Sequence, residues 1–236
     1  MDIKKFIHSF KMHVAPIPFI EKIRSSLVAG IAILLLGLAL KYLPQPDYPL
    51  VMLGSIAATA VLLFAAPHSP MAQPWPLLGG HLISTLAGWL CSQYISDPLL
   101  AAGCAVGLAI FLMHSLNCLH PPGASTALAL VLFSEQFHPM GWPWVVCIVL
   151  VNIGTSLVLA LLINNLIYGR HYPMRHVSQS TPQKYSQPDH VQLERADIEW
   201  ALTQMDGVID VSEEDLVEIY ELAIKHVRYG DSIVSS

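Results

Sequence analysis

His120 stands directly before two consecutive prolines, Pro121 and Pro122, in an apolar part of the chain. Each proline lacks a backbone N–H and also restricts the residue before it, so a regular helix cannot pass through this point. Proline is accepted in the first turn of a helix, and the small residues from Gly123 onward favour a new helix. A helix start carries free N–H groups and a partial positive charge. The pattern therefore predicts a broken backbone that places His120 beside a site for a small anion.

Another proline-rich break lies earlier in the chain and also precedes a histidine. Residues 67–76 contain four prolines and no charged residue, and Gly79, Gly80 and His81 follow. A loop in water usually carries charge, so we expect this one to fold back toward the membrane. We also expect it to share one anion pathway with the break at Pro121 and Pro122. The predicted anion-binding residues are His120, Gly123, Ala124, Ser125, Thr126, Gln73, His81 and Ser69, and the predicted structural breaks are Pro121, Pro122, Pro70 and Pro74.

Other roles for these residues stay open. His81 lies one turn into its predicted helix, where a hydrogen-bonded core histidine fits the pattern as well as a binding residue does. Cys118, two residues from His120, raises the alternative of a metal site, because imidazole and thiolate both bind metals. No carboxylate lies near in sequence and a helix start repels cations, so we predict neither a metal nor a cofactor. No nucleophile elbow or paired carboxylate is present, so we predict no enzymatic activity.

The composition is that of a membrane protein. The chain is 54% hydrophobic and 12% charged, against about 25% charged residues in soluble domains. No lysine or arginine occurs between Lys41 and Arg170. This distribution predicts a body embedded in the lipid bilayer, because a fixed charge in hydrocarbon is costly. The basic residues before position 25 adjoin an apolar segment directly, which favours a membrane flank over a nucleic-acid-binding arm.

Apolar segments of helical length predict an all-α membrane protein of about six transmembrane helices, with proline-broken segments between some of them. The segments are residues 25–43, 50–66, 77–94, 99–114, 123–133 and 142–167. The fifth is short for a full crossing. Six crossings place both basic flanks on one side, so we predict a multi-pass protein of the cell inner membrane with both termini cytoplasmic.

Four regions follow from these patterns: a basic cytosolic leader (1–24), a transmembrane domain (25–170), a polar linker (171–190) and an acidic, helical cytosolic appendix (191–236). The two short helices predicted for the appendix bury little surface alone. We therefore expect them to pack on a partner or on a second subunit, and we predict a homo-oligomer.

Two sequence blocks resemble one family of membrane proteins. Leu119-His120-Pro121-Pro122-Gly123-Ala124, followed by a small and apolar helix, resembles the defining motif of the HPP family. Residues 64–74, with Gly79-Gly80-His81 after them, are similar to the family's other well-marked stretch. The resemblance covers roughly residues 15–170 and implies a transporter-like integral membrane protein, in a family whose plant chloroplast members are associated with nitrite transport. Some bacterial members continue into paired CBS domains, and we expect none here.

The resulting functional prediction is a transporter or channel for a small inorganic anion, with nitrite as the candidate. A polyanion would call for lysine or arginine in the membrane body, whereas one negative charge is met by N–H groups, hydroxyls and neutral imidazole. The expected partners are this anion, the lipid bilayer and further copies of the chain, without nucleic acid. The alternative is a membrane sensor or scaffold that does not transport and that binds a ligand or partner through its appendix.

Overall fold

A computed structural model describes residues 18–42, 51–167 and 170–174, and all structural statements below concern these residues. Most of the predicted leader, most of the linker and the whole acidic appendix lie outside them. Within the described residues the regular structure consists of α-helices and two short 3-10 turns, without a strand. The predicted all-α fold class is thereby confirmed.

The helices follow the predicted segments closely. They are α1 (Phe19–Tyr42), α2 (Ser55–Ala65), α3 (Pro74–Tyr94), α4 (Pro98–Ser115), α5 (Pro121–Leu132), the single turn α6 (Ser134–Phe137) and α7 (Trp142–Leu166). By length and composition, α1, α4 and α7 are apolar and long enough to cross a membrane, whereas α2 and α5 are shorter apolar helices. Six crossings remain a prediction.

The first helix begins earlier than predicted, at Phe19 rather than residue 25. The expected start coincided with the end of the basic leader, but Glu21, Lys22 and Arg24 are good helix formers and lie within six residues after Pro18. A helix can begin before the apolar segment that it contains. The extra turn carries charged side chains beyond the apolar segment.

The second helix is shorter than predicted because its expected first turns are unwound. Residues 51–54 lie outside α2. Asn152 of α7 replaces the missing helical hydrogen bonds: its Oδ1 accepts from Leu53 N at 3.2 Å, and its Nδ2 donates to the Val51 carbonyl at 2.9 Å. Irregular backbone is tolerated at membrane depth only where the protein supplies such partners.

The other end of α2 is held by a second asparagine of α7. Asn164 Nδ2 donates to the Leu63 carbonyl at 3.0 Å. The 11 residues of α2 span about 17 Å and the 12 residues of α5 about 18 Å, against about 30 Å of bilayer hydrocarbon. Both are therefore partial helices, too short to cross the hydrocarbon on their own.

Arg170 closes this end of the bundle. Its guanidinium donates to the Phe64 carbonyl at 3.0 Å and to Asn164 Oδ1 at 3.2 Å, and it pairs with Glu21 of α1. The residue is only 5% exposed. The sequence placed Arg170 in a basic membrane flank. In the structure it is buried, because one carboxylate and two oxygens compensate its charge. The start of α1 therefore lies close to the ends of α2 and α7.

The core consists of two apolar clusters. The first is built mainly from α1, α2 and α7 and contains large side chains such as Leu36, Phe64 and Ile148. The second joins α3, α4 and α5 through small residues and includes Ala101, Ala105 and Ala109 on one face of α4. Helix α3 packs against α4, α5 and α7 and is thus central.

Helices α3 and α5 meet at backbone contact. A Cβ placed on Gly88 would lie 2.5 Å from the Ala127 carbonyl oxygen, and one on Gly123 would lie 2.8 Å from the Gly80 carbonyl oxygen. Real Cβ atoms are not found so close, so these positions accept only glycine without a shift. The close approach brings the residues around His120 against α3.

Candidate functional site

The two proline-rich breaks lie side by side. The first contains a 3-10 turn, Pro70–Ala72, which begins after Ser69. Trp75 Nε1, just after this turn, donates to the Leu116 carbonyl of the second break at 3.2 Å. His120 Nδ1 lies 2.8 Å from the Met71 carbonyl oxygen. The breaks that were expected to share one pathway are therefore in direct contact.

His81 and His120 form a pair at this junction. Both side chains are 0% exposed, and their ring centroids are 5.0 Å apart. Thr59 of α2 lies between them, with its Oγ1 at 3.1 Å from Nε2 of His81 and at 3.1 Å from Nε2 of His120. One hydroxyl therefore bridges two imidazoles.

The bridge is part of a longer hydrogen-bonded row. His81 Nδ1 lies 2.8 Å from Thr126 Oγ1 of α5, and Thr126 Oγ1 lies 2.8 Å from Ser55 Oγ of α2. We call the row the polar chain; its members in order are Ser55, Thr126, His81, Thr59, His120 and the Met71 carbonyl. Ser55 and Thr59 lie on α2, a helix of the first apolar cluster. His81, His120 and Thr126 lie on or next to α3 and α5, which belong to the second apolar cluster.

The carbonyl at one end fixes the proton on every ring nitrogen. A carbonyl only accepts, so His120 donates from Nδ1, and in the neutral ring its Nε2 accepts from Thr59. Thr59 has one hydroxyl proton, so its oxygen accepts from Nε2–H of His81. His81 Nδ1 must then accept from Thr126. From Thr126 onward, every donor in the neutral polar chain thus points toward Met71.

The ion pairs and the charged helix cap of the described structure lie away from the polar chain. Glu21 pairs with Arg24 and Arg170, and Asp97 accepts from Leu100 N at the start of α4. No hydrogen bond links a carboxylate, lysine or arginine of the described residues to the polar chain. The two histidines are surrounded by hydroxyls, a carbonyl and apolar atoms.

Only some of the predicted site residues reach the polar chain. His120, His81 and Thr126 are members, and Gly123 lies against Gly80 beside it. Ala124 is half-buried and Ser125 is exposed. No hydrogen bond in the described structure links Ala124 or Ser125 to the polar chain.

Ser69 and Gln73 shape the first break. Ser69 Oγ accepts from Met71 N at 3.3 Å. Gln73 Nε2 donates to the carbonyls of Pro67 and Ser69, each at 3.0 Å, while its Oε1 accepts from Met174 N at 2.8 Å. The amide predicted as an anion donor is used to fold the loop that positions the Met71 carbonyl.

The start of α5 offers fewer free N–H groups than predicted. Pro121 and Pro122 have none, and Gly123 N donates to the His120 carbonyl at 2.8 Å. The same prolines that create the break remove the donors that make ordinary helix starts attractive to anions. The side chains of the polar chain are therefore the donors at this junction.

Thr59 and Ser55 were not among the residues predicted from the sequence. Their i, i+4 spacing places both on one face of an apolar helix. Hydroxyls aligned in this way inside a membrane segment are a signal that could have identified them. Asn152 and Asn164 were equally readable as buried polar residues in an otherwise apolar segment.

The described residues contain no group of three or more His, Cys, Asp or Glu side chains arranged to hold a metal ion. The chemistry available to the polar chain is hydrogen bonding and proton exchange. Imidazole changes its charge by gaining one proton, and a hydroxyl accepts one proton while releasing another.

Comparisons with known proteins agree with this architecture. A family model described as "HPP, transmembrane region" matches residues 14–173. A transmembrane protein of Dictyostelium discoideum is 34% identical over 176 residues, which are 72% of this chain and 61% of the relative. A second Dictyostelium transmembrane protein is 37% identical over 154 residues, 64% of this chain and 49% of the relative.

The chain thus spans about half to three fifths of the length of these curated relatives. No solved structure matches it. The family match covers both proline-rich breaks and every member of the polar chain, and it confirms the resemblance found in the sequence. The chain belongs to the HPP family of transmembrane proteins.

Proposed function

We propose that the protein moves a small, singly charged inorganic anion across the membrane, with nitrite as the first candidate, and that the anion meets the polar chain. The observation that carries this proposal is the wholly buried pair His81 and His120, bridged by Thr59. Ionisable residues inside membrane segments are costly to bury, and they usually mark ion or substrate pathways.

The position of the polar chain supports transport over a purely structural role. It lies where α2, a helix of the first apolar cluster, meets α3 and α5 of the second. Transporters commonly place their sites between two bundles and form them from interrupted helices. The partial helices α2 and α5 fit this pattern. A small movement of one cluster against the other would open the chain to the aqueous phase.

The chemistry of the polar chain supports the choice of substrate. Hydroxyls and neutral imidazoles donate hydrogen bonds without fixed charge, and protonation of one imidazole adds a single positive charge. Such a set matches one negative charge and suits a multiply charged anion poorly. It also disfavours a metal cation, because His120 presents its Nδ1–H to the Met71 carbonyl and Thr59 occupies its Nε2.

Several further expectations belong to the same proposal. The breaks lie at the end of the bundle where Arg170 and Glu21 meet, since Tyr172 Oη donates to the Ala72 carbonyl at 2.8 Å. From the basic flanks we propose that this end faces the cytoplasm, in the cell inner membrane. We propose homo-oligomeric assembly and no enzymatic activity. The sensor or scaffold alternative depends on the acidic appendix, which lies outside the described residues.

The test is anion flux in proteoliposomes that contain the purified protein. Nitrate is the better probe, because the conjugate acid of nitrite crosses bilayers unaided. We expect wild-type vesicles to take up nitrate and the His120→Ala variant to lose about tenfold or more of this flux, equivalent to one interaction of about 1.4 kcal/mol. His114→Ala is the matched control, because His114 is exposed at the end of α4. Flux that is absent in the wild type, or equal in all three proteins, would refute the proposal.

A further inference from the structure

We infer that the polar chain is a proton relay that runs along α2 and delivers one proton to His120. Its role in transport rests on the proposed function, because a protonated His120 would be the partner of the anion. The relay itself does not depend on the anion, and the two ideas can fail separately. The argument uses the direction of the chain, its endpoints and its proton count.

The two endpoints indicate that the polar chain runs along the direction of a membrane crossing. Ser55 is the first residue of α2 and follows the unwound residues 51–54, of which Met52 and Gly54 are exposed. The Met71 carbonyl belongs to the turn after α2, beside the exposed Pro70. The polar chain thus connects the segment before α2 with the segment after α2. Each end adjoins an exposed residue.

From Thr126 to Met71 the donors are already aligned for transfer in one direction. A proton that binds Ser55 Oγ lets Ser55 pass its own proton to Thr126, and Thr126 passes its proton to Nδ1 of His81. His81 then releases Nε2–H to Thr59, and Thr59 gives its proton to Nε2 of His120. Every intermediate group breaks one bond to hydrogen and forms one. The net change is a single proton, and His120 becomes an imidazolium.

The carbonyl end prevents the proton from running straight through. The Met71 oxygen accepts the Nδ1–H of His120 but does not carry a proton onward. Release therefore requires that His120 separates from Met71 and gives this proton to water or to a bound anion. Afterwards the hydroxyls must rotate and both rings must return to their starting tautomers. The relay consequently carries one proton per conformational cycle, as proton–anion coupling requires.

The surroundings leave the two imidazoles as the groups that gain charge. The hydroxyls that accompany the two imidazoles in the polar chain come from Thr59 and Ser55 on α2 and from Thr126 on α5. On α3, Ser84 directs its hydroxyl to Met113 Sδ at 3.9 Å, one turn from His81. The nearest thiol is Cys118, which packs against Gly79. No carboxylate, lysine or arginine of the described residues hydrogen-bonds to a member of the chain.

Thr59 is the residue at which the relay can be cut. Valine has nearly the shape of threonine but no hydroxyl, so Thr59→Val interrupts the chain between the two rings. Thr59→Ser keeps the hydroxyl. Thr85→Val is the matched control: Thr85 is also buried, but its Oγ1 only donates to the His81 carbonyl within α3, at 2.7 Å.

The experiment measures proton entry into proteoliposomes with an internal pH dye, under an imposed membrane potential, with gluconate as the only small anion and then with nitrate added. We expect Thr59→Val to lose about tenfold or more of the proton flux, in keeping with the contribution of a positioned proton-transfer group. Thr59→Ser and Thr85→Val should retain it. Proton flux that is equal in Thr59→Val and wild type overturns the relay.

Nitrogen NMR of histidine-labelled wild-type protein in bilayers tests the relay without depending on the activity of a variant. We expect neutral His120 to carry its proton on Nδ1 and neutral His81 on Nε2. The opposite tautomers would overturn the relay. Nitrate flux without any Thr59-dependent proton movement would leave the proposed function standing and refute the relay. Thr59-dependent proton flux without nitrate movement would support the relay and refute the proposed function.

Discussion

Gly80 and His120 are in such close contact that a Cβ on Gly80 would lie 2.5 Å from the Cβ of His120. The same Cβ would lie 3.1 Å from the Cys118 carbonyl oxygen. The glycine of α3 therefore sets the position of the histidine that directly precedes α5. Any side chain at residue 80 must push His120 away from Thr59 and Met71.

We predict that Gly80→Ala lowers the melting temperature and reduces nitrate flux to background, because the displaced His120 loses both hydrogen bonds of its ring. Gly103→Ala on α4 is the control, since a Cβ there meets nothing within 4 Å. Alanine is the better helix former, so this control should be at least as stable as wild type. A Gly80→Ala protein with wild-type stability and flux would show that the contact is not needed.

The second prediction concerns the unwound segment before α2. Asn152→Ala leaves Leu53 N and the Val51 carbonyl without their partner. An unsatisfied buried group costs about 1–3 kcal/mol, so we expect a loss of this order or more in unfolding free energy. Ser156→Ala, one turn along α7, removes only a hydroxyl bonded to the Asn152 carbonyl and should cost less. Equal losses in denaturant titrations of the two variants would contradict this view of Asn152.

The third prediction separates two arginines that pair with the same carboxylate. The Arg170 side chain is 6% exposed and the Arg24 side chain 42% exposed, and both contact Glu21. Removing one member of a buried pair costs about 3–5 kcal/mol, whereas an exposed pair contributes about 1 kcal/mol or less. Arg170→Met should therefore unfold at much lower denaturant than Arg24→Met. Similar midpoints would mean that the buried pair stabilises no more than the exposed one.

The fourth prediction concerns Tyr172, which follows α7 and donates its hydroxyl proton to the Ala72 carbonyl. Burial raises the pKa of Tyr172 above its usual value of about 10. Because the folded state holds this proton more tightly, the associated stability is complete below about pH 10 and is lost as pH rises beyond it.

Tyr172→Phe should therefore be less stable than wild type near neutral pH, with a difference that shrinks above about pH 10. Thermal unfolding at a series of pH values measures this difference. The exposed Tyr94→Phe serves as the control for the loss of a phenolic hydroxyl at the surface. A constant difference between Tyr172→Phe and wild type at all pH values would contradict a proton held by burial.

Much of the fold was predictable from the sequence, because length, hydropathy and proline positions determine helices in an apolar chain. The break at Pro121 and Pro122, the C-terminal end of α3 and both ends of α7 followed from these signals, whereas α3 begins three residues before its predicted start. The unwound start of α2 did not, since its apolar residues read as helix. It depends on Asn152, about a hundred positions away, and such partners are not visible in a local pattern.

The site was predicted only in part for a similar physical reason. His120 and His81 were identifiable because each adjoins a break. Thr59 gains its role only when α2 packs against α3 and α5, and in sequence it is one small residue among several. Gln73 was expected to bind the anion, yet its amide folds the loop, because the prolines around it leave the Pro67 and Ser69 carbonyls in need of donors.

The most direct test of the central claim is the response of the His120 ring to nitrate. Nitrogen NMR of histidine-labelled protein in lipid bilayers, assigned with His120→Gln, would follow each ring during titration with nitrate and with gluconate. The account predicts that nitrate shifts the His120 signals saturably toward the imidazolium form, with smaller changes at His81 and none at the exposed His114. Nitrate transport by wild-type protein whose His120 and His81 signals do not change would contradict it.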